Sequence, residues 1–151
     1  MESKLNFLLN EYPAILRNLD PSKKAEWGKM NVHQMIEHMS DSVREANGKT
    51  PRTLLTPPER LQQSRDFLMS DKEFRPNTKN SMMGEEPLPV KHSSVEMSIE
   101  ELEIELKDFQ KHYASNPDSI IMNPFFGELD FNGWIQLLHK HAMHHLKQFG
   151  V

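Results

Sequence analysis

The chain has 151 residues, 36% hydrophobic and 26% charged, with a net charge of -4 when its eight histidines are neutral. That length suits one domain over residues 1–151, and with no basic stripe and no apolar run near the ~20 residues of a membrane span, neither nucleic acid nor a membrane is an expected partner. The absence of cysteine removes disulfides, thiolate metal sites and a cysteine nucleophile; together with a first stretch, MESKLNFLLNEYP, that lacks a long apolar region, it fits a cytoplasmic protein.

Leu5, Leu8, Leu9, Tyr12 and Leu16 recur at helical spacing and predict a first helix over residues 2–18. Pro13 conflicts with it, because a proline inside a helix removes a donor and clashes with the preceding turn. The helix either kinks there or ends near Glu11 and restarts. Asp20-Pro21-Ser22 is a turn signal.

A second helix opens in WGKMNVHQMIEHM. Asn31 is a good N-cap, and Gln34 three residues on completes a capping-box pattern. Val32, Met35, Ile36, Met39, Val43 and Ala46 form its apolar face, and Asn47-Gly48 is a natural stop. His38 falls at one flank of that face, above Ser42 and Glu45, and His33 at the other.

Three prolines in residues 49–58 forbid a regular helix. A third helix is expected from Glu59 to about Ser70, resting on Leu61, Phe67 and Leu68. Residues 71–97, rich in Pro, Asn and Ser, have no helical period, and so long a loop is expected to be either a functional cover or a poorly ordered segment. Met82 and Met83 within it are candidates to line a ligand cleft. Ser98 to Glu101 reads as a capping box and predicts a fourth helix from Ile99 to about Ala114, with Ile99, Leu102, Leu106, Phe109 and Tyr113 as its stripe. No segment reads as a β-strand, although residues 119–122 have some extended character. Phe125, Phe126 and Gly127 are expected in a tight turn before Asp130, the N-cap of the last helix. The result is an all-α chain of four core helices and one more, with a long irregular loop between the third and fourth helices.

The last helix carries the chemistry. At roughly 100° per residue, Trp134, Leu138, His141, His145 and Phe149 fall within about 80° of one another. Two imidazoles four residues apart therefore lie inside the stripe that should face the core, an arrangement that aims two nitrogens at one metal ion. A lone helical histidine such as His38 is more often a hydrogen-bonded structural residue. His139 and His144 lie at the edges of the stripe, as surface groups or as supports for the ligands, and His33, His92 and His112 are expected to face solvent. There is no His-Glu-x-x-His, so this is no zincin-type protease.

The segments WGKMNVHQMIEHM (27–39), NPFFGELDFNGW (123–134) and HKHAMHHLKQFG (139–150) resemble those of the DinB/YfiT-like superfamily of metalloenzymes, in particular an uncharacterised DinB-like subfamily of short bacterial proteins. The resemblance runs in order through nearly the whole chain. It implies a four-helix bundle in up-down-down-up order and a divalent metal ion, zinc or nickel, held by one histidine of the second helix and two of the last: His38, His141 and His145. Characterised relatives in the superfamily include transferases of low-molecular-weight thiols, and such bundles are often homodimers. Two positions depart from the pattern. Asn123 stands where the family often has His-Pro, and Leu146-Lys147 where many members have Arg-Gly before the glutamine.

Three histidine nitrogens with an open fourth position are the donor set of a catalytic zinc, and each ligand then needs an acceptor for its other ring N–H. Gln148, Ser42, Glu45 and Asp41 are candidates for that support, and Glu45 or Glu37 for a general base. The expected function is a metal-dependent enzyme that activates a thiol or water for transfer to, or hydrolysis of, a small-molecule substrate. The alternatives are a noncatalytic metal- or small-ligand-binding helical bundle, and a helical interaction protein that binds no metal.

Overall fold

A computed structural model describes residues 1–77 and 86–151. The chain is mostly helical, with one small two-stranded sheet. Met82 and Met83 lie outside the described residues.

Pro13 neither breaks nor ends the first helix. Helix α1 (Glu2–Asn6), a π-helical turn (Phe7–Glu11) and α2 (Tyr12–Asn18) follow one another with helical dihedrals at each junction. The Tyr12 N–H reaches back five residues to Phe7 O, so the wider turn falls just ahead of the proline, which then sits in the first turn of α2 where a missing donor is tolerated. Leu8, Tyr12 and Leu16 are buried, as their spacing requires.

Helix α3 (Val32–Ala46) begins at Asn31 with both halves of the capping box formed. Its six expected apolar residues are all buried, and Gly48 follows with φ +83. Helix α4 (Pro58–Met69) has only Leu68 fully buried. Helix α5 (Val95–Ser115) begins one turn earlier than expected. Ser94 is its N-cap, accepting from the Met97 N–H, while Ser98 lies inside the helix, wholly buried. Its hydroxyl is committed elsewhere, donating to Glu37 at 2.8 Å.

The all-α expectation needs one correction. Strands β1 (Ile121–Asn123) and β2 (Gly127–Leu129) pair antiparallel, with Asn123 opposite Gly127. The Asn123 side-chain oxygen accepts from the N–H groups of Phe125 and Phe126 and shapes the turn. Helix α6 (Phe131–Gln148) then starts at Asp130, whose carboxylate caps the Gly133 N–H. Trp134 is buried, and its indole N–H donates to Ile121 O, tying α6 to the hairpin.

Side-chain pairings fix the helix directions. His33 to Ser98, Arg44 to Glu101 and Lys49 to Asp108 advance together, so α3 and α5 run the same way. Lys4 to Gln136 and Phe7 to His139 likewise make α1 and α6 parallel. Gln148 to Trp27 and His141 to His38 run in opposite senses, so α6 opposes α3. Among the described residues no helix is long and apolar enough to cross a membrane.

Candidate metal centre

The three predicted ligands come together. The capped start of α6 and the sealed Trp134 fix the phase of that helix, which turns His141 and His145 toward α3. The capping box at Asn31 fixes α3 in the same way and brings His38 to meet them. His141 Nε2 lies 3.0 Å from His38 Nε2 and 2.8 Å from His145 Nε2. One nitrogen from each ring falls within 4.8 Å of the others. The His38 ring stands nearly perpendicular to both partners, at 83°, with centroids 4.9 and 5.0 Å away.

Burial is the leading cause of a lowered pKa at all three. It pushes His145 down to about 3 and His141 well below the ordinary histidine value, with neighbouring imidazoles adding to the effect. At His38 burial is partly opposed by the Asp41 carboxylate. The rings are therefore neutral at pH 7, which is the form that binds a metal.

Hydrogen positions follow from the partners. Gln148 Nε2 donates to Trp27 O at 2.9 Å, so its Oε1 faces His145 Nδ1 at 2.7 Å. An amide oxygen can only accept, so Nδ1 carries the hydrogen and His145 Nε2 is a bare lone pair. If the His141 Nε2–H answers it, His141 has no lone pair left for His38. Three neutral imidazoles in this geometry cannot all be satisfied by one another. A cation between them would accept all three lone pairs. Tetrahedral bonds of ~2.0–2.1 Å set ligand nitrogens about 3.3 Å apart, so the two pairs that share His141 match an ion after opening by about half an ångström or less. The group could hold a metal ion.

Segment 70–74 lies along this end of α6. Lys140, itself buried, donates to Ser70 O at 3.0 Å and to Lys72 O. Lys147 pairs with Glu73 at 2.8 Å, and the Phe74 ring sits edge-on to His141 and His144 at 6.4 and 5.8 Å. This part of the long loop lies beside His141 and His144. Phe74 itself carried no signal in the sequence, because an aromatic in an aperiodic loop shows no face.

The expected supporting residues divide. Gln148 serves His145. The Ser42 hydroxyl donates instead to the His38 carbonyl, Asp41 pairs with Arg44, and Glu45 pairs with Arg52 at 3.1 Å. Burial raises the Glu45 pKa, against the pull of Arg52. Glu37 points away from the centre. Both of its oxygens are taken, by the N–H groups of Lys91 and His92 and by Ser98. Burial alone would raise its pKa, but these donors hold it below the usual carboxylate value.

The histidines expected in solvent are also engaged. His33 meets Ser98 at 2.9 Å, His92 meets Glu101 at 2.7 Å, and His112 meets Ser119 at 2.9 Å. His139 packs edge-on to Phe7, while His144 lies between Trp27, Phe74 and His145. A shallow groove beside Ala14, Ile15, Asn18, Leu19 and Val151 includes none of the three clustered histidines. Compared with protein-family models, curated proteins and solved structures, the chain matches none of them.

Proposed function

We propose that the chain is a metal-dependent enzyme of the DinB-like kind, acting on a small-molecule substrate with a thiol or water as the second reactant. His38, His141 and His145 hold one divalent ion, zinc or nickel. The observation that carries the reading is the convergence of three Nε2 atoms, one of them a bare lone pair by its hydrogen bonding. Such an ion keeps its full charge on neutral ligands and acidifies a thiol or water in its remaining position.

The four-helix bundle is part of the same proposal. Parallel α1 and α6, parallel α3 and α5, and the opposition of α6 to α3 are the relations of an up-down-down-up bundle, with α4 and the hairpin appended. The chain's own residues then have separable tasks. Gln148 holds the proton of His145 on Nδ1, and segment 70–74 shields one side from water. Glu45 lies seven residues beyond His38 on α3, about 10 Å along the axis. Its raised pKa suits it to take or give a proton at the far end of a bound substrate. A homodimer and a low-molecular-weight thiol cofactor belong to the same reading.

Elemental analysis of protein purified without a histidine tag tests the binding claim. About one equivalent of metal is expected for the wild type and close to none for His38→Ala, His141→Ala or His145→Ala. Thiol transfer to small electrophiles tests the chemistry. Turnover that survives both a chelator and His145→Ala would overturn the enzymatic reading. An ion bound with no exchangeable position would favour a noncatalytic metal-binding bundle.

A further inference from the structure

The Trp27-Gly28 pair stands just before α3 and contributes no ligand. It nevertheless grips the residue that orients one. Gln148 Nε2 donates to Trp27 O at 2.9 Å, and the Glu26 N–H donates to Gln148 O at 2.8 Å, so the turn holds the last residue of α6 from two sides. Gly28 has φ +77, and a Cβ added there would lie 2.9 Å from Gln148 Nε2. At that distance the Gln148 amide would have to shift, and few side chains adopt that φ.

We propose that the 26–28 turn sets the tautomer of His145. Gly28 leaves room for the Gln148 amide. The Trp27 carbonyl, which can only accept, forces the NH2 end of that amide toward itself. The oxygen end is then the one that meets His145 Nδ1 at 2.7 Å and keeps the hydrogen there. Were the amide displaced or reversed, the hydrogen would move to Nε2 and block the nitrogen that faces His38 and His141. Gly28 and Gln148 are thus positioning residues that act through His145. The consequence for metal affinity rests on the metal reading above, while the tautomer itself does not.

Two measurements on Gly28→Ala, Gln148→Ala and the Gly28→Ala/Gln148→Ala double variant test this. The first is the nitrogen-15 shift pattern of the His145 ring in metal-free full-length protein. The second is zinc affinity by competition with a chromophoric chelator. In the wild type His145 should be the Nδ1–H form, because Gln148 keeps an oxygen opposite Nδ1. In Gly28→Ala and Gln148→Ala the ring should become a mixture, and zinc affinity should fall ~10–100-fold. The double variant should bind zinc no more weakly than Gln148→Ala alone, since with the amide gone the added methyl has nothing to displace. Strain at Gly28 would lower thermal stability in both backgrounds, so it is read separately.

A pure Nδ1–H tautomer persisting in Gln148→Ala would overturn the proposal, as would a further loss of zinc affinity in the double variant. If the wild type takes up no zinc, the metal reading fails, and the tautomer measurements still decide this inference.

Discussion

Glu37, a candidate base on sequence grounds, has both oxygens hydrogen-bonded, with the His33 ring nitrogen 3.4 Å from one of them. It answers three donors and fastens the end of the long loop to α3. Replacing it by Ala would leave those donors unanswered, which costs about 1–3 kcal/mol for each that water cannot reach, the buried Ser98 first among them. The expected result for Glu37→Ala is a loss of at least ~2 kcal/mol in urea denaturation with metal stoichiometry unchanged. Loss of metal without loss of stability would return Glu37 to the site. Asp130 offers a smaller and independent check. Asp130→Ala removes the N-cap of the helix that carries two of the clustered histidines, and should cost about 1 kcal/mol in the same assay.

At the scale of elements, α6 holds the end of α4 through Lys140 and Gln136, whose side chains donate to carbonyls at Leu68, Ser70 and Lys72. The carbonyls at a helix end have no partner within the helix, and a buried ammonium meets them favourably. Lys140→Met should therefore destabilise by about 2 kcal/mol, whereas Lys147→Ala, which breaks only the exposed pair with Glu73, should cost less than about 1 kcal/mol. Equal costs in thermal denaturation would contradict this account of the strap. The apolar stripes of α3, α5 and α6 were legible in the sequence because burial repeats with the helical period. The hairpin was not. Ile121–Asn123 and Gly127–Leu129 are too short to display an alternation, and their pairing depends on how the Asn123 side chain folds the turn. The start of α5 misled for a related reason. Ser94 and Ser98 both precede good helix formers, and only the long-range contact of Ser98 with Glu37 decides between them. Likewise His141 and His145 announced themselves by spacing, while spacing alone left His38 indistinguishable from a structural histidine, and only the resemblance named it as a ligand. The partners of His33, His92 and His112 are fixed by the fold, which no local pattern in the sequence encodes.

For the whole molecule, three imidazoles held neutral by burial couple stability to pH. Their folded pKa values lie below the unfolded value of about 6.5. Between those limits the unfolded chain binds more protons than the folded one, so stability is complete above about pH 6.5 and is lost as pH falls toward about 3, the value for His145. Each histidine contributes up to about 1.4 kcal/mol per pH unit across its window. The melting temperature of the metal-free protein should thus fall steadily from pH 7 to pH 5. Excess zinc should raise it at pH 7, and burial, which holds His145 unprotonated down to about pH 3, should preserve most of that increment at pH 5. A flat profile, or a zinc increment that vanishes by about pH 5, would contradict burial of the neutral imidazoles.

The most direct test is diffraction from crystals of the untagged protein, recorded on both sides of the zinc and nickel absorption edges. The account predicts one anomalous peak about 2.0–2.1 Å from Nε2 of His38, His141 and His145. Rings turned apart with no peak between them, or a peak bound by other residues, would contradict it.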